Sequence, residues 1–462
     1  MGHPDLMNAP LPKNPGYVLA LVVLFAAAAF ADEFQEGIEA FGNEDYATAL
    51  AHWMPLADGG DLNAMYNIGL LYDEGLGVDV DKVRALEWYL PPAEEGDVAA
   101  QFSVATIYDF GQGGVPEDNE KAIYWYTAAA MQADEQAQFN LGVMYASGEG
   151  VEVDYDESLE WYRLSADQGH APAQYNLAHM YDVGTAIPED NHEAMNWYLK
   201  AAEQGDADAQ YAIALMHDNG DGFIEDDQLA IKWYELAAAQ GLINAQFNLG
   251  VMYDVGEGVP EDNAAAIKWY QAAAEQGHQN AQLNLGIMFE NGEGTEVDTD
   301  LAMQWYRRAA DQGLTDAQYA VALMFDEGVG VEEDNVAAIA WYTRAAEQGD
   351  PDAQNNLGAM YDAGEGISED DAEAVKWYLL AADQGNSIAQ NNLGAMYFAG
   401  EGVTEDKIEA YKWFFISGEL GNDDGRDNSQ FAGKSMEHDE IMQAKKLGRE
   451  WLEKFENLSS NL

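Results

Sequence analysis

The chain contains no cysteine. Disulfides, thiolate metal sites and cysteine nucleophiles are therefore excluded together. Basic residues are scarce as well, with 20 lysines and arginines against 84 acids, a formal net charge of −64. Such a chain repels nucleic acid phosphates and anionic membrane surfaces, so neither is expected as a partner. Basic proteins and, weakly, divalent cations are what it attracts; high solubility and adaptation to salt are plainer readings of the same charge. Apolar runs are short. The longest, YVLALVVLFAAAAF at residues 17–30, falls below the ~20 residues of a membrane-spanning helix. It follows Lys13 and runs into Ala29-Phe30-Ala31, a small-x-small pattern. That reads as an export signal cleaved before Asp32, with Met1 or Met7 as the start and an uncleaved anchor as the alternative. A periplasmic or secreted chain, without an integral membrane segment after cleavage, is expected.

What the chain has in abundance is repetition. Tryptophan recurs at 88, 125, 161, 197, 233, 269, 305, 341, 377 and 413, and aspartate at 81, 118, 154, 190, 226, 262, 298, 334, 370 and 406. The step is 36 residues except the first, which is 37 because Gly113-Gly114 stands where other units have one glycine. An extra residue in a loop is what a helical repeat tolerates.

Each unit predicts two antiparallel helices. Ala245, Leu249 and Met252 form one apolar stripe, and Ala266, Tyr270, Ala273 and Ala274 form another. Gly256 and Gly258 are placed to stop the first helix, Asp262 to cap the second, and Gly277 to end it. Small residues at Gly250, Ala273 and Ala274 predict close helix approach. In the first unit Pro91-Pro92 replaces the paired small residues, which predicts a kink or an early end to that helix.

The pattern A-Q-x-N-L-G-x-M-Y-x-x-G-x-G-V-x-x-D, followed by A-x-x-W-Y-x-x-A-A-x-x-G, resembles the Sel1-like repeat, a relative of the tetratricopeptide repeat. The resemblance covers ten units over residues 61–421. Residues 32–60 resemble a degenerate first unit, with Asp45 and Gly60 in register and Trp53 at the tyrosine position. Residues 422–462 hold EIMQAKKLGREWLEKF, which looks like a C-terminal capping helix followed by a tail. The resemblance implies an all-α, right-handed α/α superhelical solenoid with caps at both ends. It also implies an adaptor that holds other proteins or peptides, at membranes or in the bacterial periplasm. A cysteine-rich branch resembling this family is linked to β-lactam hydrolysis, but the cysteines are missing here.

Catalytic patterns fail on inspection. His192-Glu193 opens like a zinc-protease helix, yet Asn196 stands where the second histidine belongs. Gly433-Lys434-Ser435 echoes a phosphate loop, but Asn428 holds the place of its first glycine. The stretch HDNGDGFIEDDQ matches a calcium loop at Asn219, Asp221, Gly222 and Ile224, and fails at His217 and Gln228. No enzyme, metal site or cofactor is expected.

Two positional series remain. Asparagine follows the repeat glutamine by two residues at Asn67, Asn140, Asn176, Asn248, Asn284, Asn356 and Asn392. On a concave surface these amides would bond the backbone of an extended peptide; on a buried one they would hold neighbouring helices together. The second series is acidic and closes the first helix: Asp73, Asp109, Asp182, Asp218, Asp254, Glu290, Asp326 and Asp362. A negative charge there opposes the helix dipole, at a cost of about 0.3–1 kcal/mol on an exposed surface. Glu149, Asp221, Glu257, Glu293, Glu365 and Glu401 fill the G-x-G gap beside it, so an acidic ridge along one edge is expected. The leading expectation is an exported, non-enzymatic adaptor that binds a protein or peptide on its concave surface. The alternative is a periplasmic regulator or envelope-assembly factor acting through the acidic ridge on a basic partner or a cation.

Overall fold

The computed structural model describes residues 28–459, which form 24 helices and no strand. The export signal therefore lies almost wholly outside the described residues. None of the described helices is long and apolar enough to cross a membrane. By its contacts the chain divides into two units, one ending at Asp226 and one beginning at Asp227.

The first unit holds α1 (Ala28–Gly42), α2 (Tyr46–Asp58), α3 (Leu62–Glu74), α4 (Lys82–Glu94), α5 (Val98–Phe110), α6 (Asn119–Ala130), α7 (Glu135–Ser147), α8 (Tyr155–Asp167), α9 (Ala171–Val183), α10 (Asn191–Glu203) and α11 (Ala207–Asn219). The second holds α12 (Asp227–Ala239), α13 (Ile243–Val255), α14 (Asn263–Glu275), α15 (Gln279–Asn291), α16 (Thr299–Asp311), α17 (Thr315–Glu327), α18 (Asn335–Glu347), α19 (Pro351–Ala363), α20 (Asp371–Asp383), α21 (Ser387–Ala399), α22 (Lys407–Glu419), α23 (Asp423–Gly433) and α24 (His438–Ser459). Within each unit a first helix pairs with the second helix of its repeat, which packs in turn on the next first helix. Each unit is an α-solenoid of stacked hairpins.

The punctuation works as the residues predict. Gly256 takes φ 75° at the end of α13, a left-handed conformation that costs glycine no steric strain, and its amide donates to the Met252 carbonyl. Asp262 sits in extended backbone, and its Oδ1 accepts the Ala265 amide at 3.0 Å, satisfying one of the free donors of α14. Ala245, Leu249 and Met252 are buried, and Ala266, Tyr270, Ala273 and Ala274 are buried in one cluster with Ala281, Leu285 and Met288 of the next first helix.

Packing is close under the tyrosine. A Cβ on Gly250 would meet Tyr270 Cδ1 at 2.4 Å, and one on Gly286 would meet Tyr306 Cδ1 at 2.3 Å. Yet Ala105, Ala178 and Ala322 hold this place in other repeats, fully buried, beside the same tyrosine. The ring therefore has room to yield to one methyl and no more. Gly286→Ala is expected to cost about 1 kcal/mol and Gly286→Val about 3 kcal/mol or more in denaturant unfolding. Equal costs would show that the ring is not the constraint.

Residues ahead of Asp61 follow the same plan. Trp53 is buried at the tyrosine position, Gly37 makes room for it, and Asp45 accepts the Thr48 amide. Two expectations need correction. The helix with Pro91 and Pro92 does not end early, since α4 runs the usual 13 residues. The buried small pair there is Pro92-Ala93, one residue later than expected. Both prolines fall in the last turn, where little helix follows, and their carbonyls still accept the Glu95 and Asp97 amides. At the other end two helices follow the repeats instead of one. Because α23 carries two glycines and few apolar residues, it does not stand out in the sequence. Its Asn428 lies 36 residues after Asn392, so α23 occupies the place of a further first helix.

Candidate functional site

The asparagine and acidic series turn out to be joined by the repeat tyrosine. In α17, Asp326 accepts a hydrogen bond from the Tyr342 hydroxyl of α18 at 3.0 Å, and that hydroxyl accepts one from Asn356 Nδ2 of α19 at 3.1 Å. Three helices from two repeats thus share one short relay. The same tyrosine-to-acid bond reaches Asp73 from Tyr89 (3.4 Å), Asp109 from Tyr126 (3.1 Å) and Asp182 from Tyr198 (3.2 Å) in the first unit. In the second unit it reaches Asp254 from Tyr270 (3.1 Å), Glu290 from Tyr306 (2.6 Å) and Asp362 from Tyr378 (3.4 Å). On the amide side Asn248 donates to Tyr234 at 3.0 Å, and Asn140, Asn176 and Asn284 bond Tyr126, Tyr162 and Tyr270.

The ends of the series differ. Asn392 donates to Asn355 Oδ1 at 3.1 Å, and Asn428 repeats that bond to Asn391 at 2.9 Å. Fourteen residues before Asn67 stands Trp53, which has no hydroxyl to offer. Asn140 is buried and the other six predicted asparagines are half-buried. All eight predicted acids, Asp218 included, are half-buried too, so they are not the exposed charges of a simple ridge. Exposed acids fill the G-x-G gap instead: Glu149, Asp221, Glu257, Glu293, Glu365 and Glu401.

Burial has an electrostatic consequence. Asp109 is pushed up to about 6, chiefly by burial and further by Glu149 and Glu117, against the lowering effect of the Tyr126 bond. Burial raises Asp182, Asp254 and Asp362 likewise, and raises the relay tyrosines strongly. A carboxyl whose folded pKa lies above its unfolded value stabilises the fold below the unfolded pKa, and that contribution is lost as pH rises through the folded one. For Asp109 the window runs from about 4 to about 6. Asn at this position keeps an acceptor for Tyr126 and carries no charge. The Tm of Asp109→Asn, read by scanning fluorimetry, is therefore expected to gain on the parent by about 2 °C between pH 4 and pH 7. A pH-independent difference would refute the assignment.

Sequence reasoning used the repeat glutamine only as a landmark. It is in fact a buried strut. Gln282 Nε2 donates to the Ala274 carbonyl at 2.9 Å, and its Oε1 accepts from Gln312 Nε2 at 2.8 Å. Gln138, Gln174, Gln246, Gln318 and Gln354 are held in the same way. Its recurrence beside a second glutamine 30 residues later was the available signal. Where Leu420 replaces that second glutamine, the buried Oε1 of Gln390 has no partner among the described residues.

The remaining motifs do not assemble into chemistry. Among the described residues no group of three or more histidines or acids is placed to hold a metal ion. Gly433-Lys434-Ser435 falls at the carboxyl end of α23, where carbonyls rather than amides are unsatisfied, the wrong polarity for phosphate. His192 lies against the Phe223 ring at 4.9 Å.

A family model described as Sel1 repeat matches ten consecutive stretches, 62–97, 98–134, 135–170, 171–206, 207–242, 243–278, 279–314, 315–350, 351–386 and 387–422. The chain belongs to the Sel1 repeat family. Each matched stretch opens on a first helix, one residue later than the boundaries read from the sequence. A protective antigen of uropathogenic Escherichia coli with the SLR fold is 33% identical, with 88% of this chain and 95% of that one covered and a TM-score of 0.64. A Sel1 repeat protein from Oxalobacter formigenes is 34% identical over 67% of this chain and 90% of that one, with a TM-score of 0.54. No curated protein sequence matches the chain. A Sel1 repeat array is a scaffold of the kind that serves protein–protein interaction, and the relay and the glutamine struts are what hold its repeats in register.

Proposed function

We propose that this Sel1 repeat protein is an exported, non-enzymatic adaptor that binds a protein or peptide on its concave surface, lined by the exposed face of its first helices. The observation that carries the reading is that no element among the described residues covers this face. In α13, Ala245, Gln246, Leu249, Gly250 and Met252 are buried, while Asn244, Asn248, Val251 and Val255 lie together on the opposite side. The same positions are exposed or half-buried in α15, α17, α19 and α21. Export rests on the leader-like residues 17–31. The asparagine ladder enters this reading as a frame for the face, since amides such as those of Asn248 and Asn356 bond tyrosine hydroxyls.

Site-directed photo-crosslinking in the envelope of the source organism tests the reading. A crosslinking residue at Val255, 62% exposed on α13, is expected to trap a partner; one at Leu236, 50% exposed on α12, is not. Equal trapping at both positions, or none at Val255, would sink it.

A further inference from the structure

The chemistry of that exposed face narrows what it can hold. Every lysine and arginine of the ten repeats lies in a second helix; no first helix and no loop leading out of one carries either. Many of these scarce cations are already engaged. In the second unit Lys268 lies over Trp269 at 5.1 Å from the ring centre, Arg308 over Trp305 at 4.4 Å, Arg344 over Trp341 at 4.3 Å and Lys412 over Trp413 at 4.2 Å. The first-helix face of the same unit combines aliphatic side chains such as Val255 and Ile287 with Asn248, Asp316 and Asp352. Its ionised groups are all hydrogen-bond acceptors. The first helices also repeat in one direction, so their negative carboxyl ends gather along one edge beside Asp254, Glu290, Asp326 and Asp362. Within one helix, position 254 stands about 80° around from the stripe through 244, 248, 251 and 255.

We propose that the exposed face of α13, α15, α17, α19 and α21 binds an extended peptide segment in which lysine or arginine alternates with aliphatic side chains. This rests on the adaptor reading above and specifies the partner. An alternating segment sets its aliphatic side chains on the stripe and points its cations toward the acidic edge, since successive side chains of an extended chain lie on opposite sides. Neighbouring first helices at the carboxyl end touch side chain to side chain, as the Asn392–Asn355 bond shows, so the stripe passes from repeat to repeat without a gap there.

Fluorescence anisotropy with three labelled 12-residue peptides of one length tests this, using alternating Lys-Val, Gln-Val and Glu-Val sequences. Lys-Val is expected to bind at least about tenfold tighter than Gln-Val, and Glu-Val not at all. A molecule this acidic attracts any cation, so position must be separated from net charge. Ile287→Lys and Val255→Lys put a cation on the face at exposed sites, whereas Leu236→Lys adds the same charge on the second helix. The first two are expected to weaken Lys-Val binding about tenfold and the third to leave it within about twofold. Equal weakening by all three substitutions would reduce the binding to diffuse attraction and overturn the proposal. Gln-Val binding as tightly as Lys-Val would overturn cation selection and leave the adaptor reading standing. Absence of binding by all three peptides would overturn the proposal, and with crosslinking at Val255 also negative would remove the adaptor reading as well.

Discussion

A chain ending at Gly421 is expected to aggregate at micromolar concentration. Without α23 and α24 the last repeat loses its cover. Trp413 and Ile416 are buried beside Trp451 and Leu452, and Tyr411 and Phe414 beside Ala432, Met436, Ile441 and Ala444. Trp451 meets Trp413 edge-on at 6.0 Å and stacks on Phe455 at 4.9 Å, so one turn of α24 supplies much of the lid. Each large side chain returned to water forfeits about 1.5–3 kcal/mol, and the four together form a contiguous apolar end. Light scattering and dye binding should report it, with soluble expression restored when residues 422–459 are kept. A soluble monomer with the parent's melting profile would mean that α24 is an appendage and not a cap.

Tyr342→Phe is expected to cost about 1–3 kcal/mol, because it leaves the half-buried Asp326 and the amide of Asn356 each without its hydroxyl. Two natural controls exist within the chain. In the third repeat Ala146 replaces the acid and Tyr162 bonds the neutral Asn176 and Ser158, so Tyr162→Phe strands no carboxylate and should cost less. In the last repeat Phe398 replaces the acid and Phe414 the tyrosine; both members are lost together. Tyr342→Phe with Asp326→Ala is accordingly expected to cost less than the sum of the single changes, by about 1 kcal/mol in urea unfolding. Strict additivity would show that the two groups do not interact. The raised tyrosines add a second readout. Unfolded tyrosine ionises near pH 10 and the buried hydroxyls only well above it, so stability is lost as pH climbs past about 10.

The hairpins, their caps and their buried stripes were legible because each is a local pattern with a period of its own. Asp262 and Gly256 announce helix ends within a few residues of sequence. The relay was not legible in that way. The tyrosine reads as one more member of an apolar stripe, and its hydroxyl matters only when helices distant in sequence are brought together. The offsets were nevertheless present, since Asp326, Tyr342 and Asn356 stand 16 and 14 residues apart, as do Asp254, Tyr270 and Asn284. Helix α23 was missed for the opposite reason. It is two residues shorter than a first helix, and Gly425, Ser429 and Ala432 occupy the places where other repeats carry alanine, leucine and methionine, so neighbours and not composition hold it.

The relay also bears on how such a chain changes length over generations. Where the relay is complete, as at Tyr342, the hydroxyl reaches backward to an acid of its own repeat and forward to an amide of the next. Recombination that removes or adds a whole period between two tyrosines joins a backward half to an equivalent forward half, and every donor still meets an acceptor. An exchange of any other length strands both. Copy number is thus free to drift in whole steps while the seam between copies stays chemically the same.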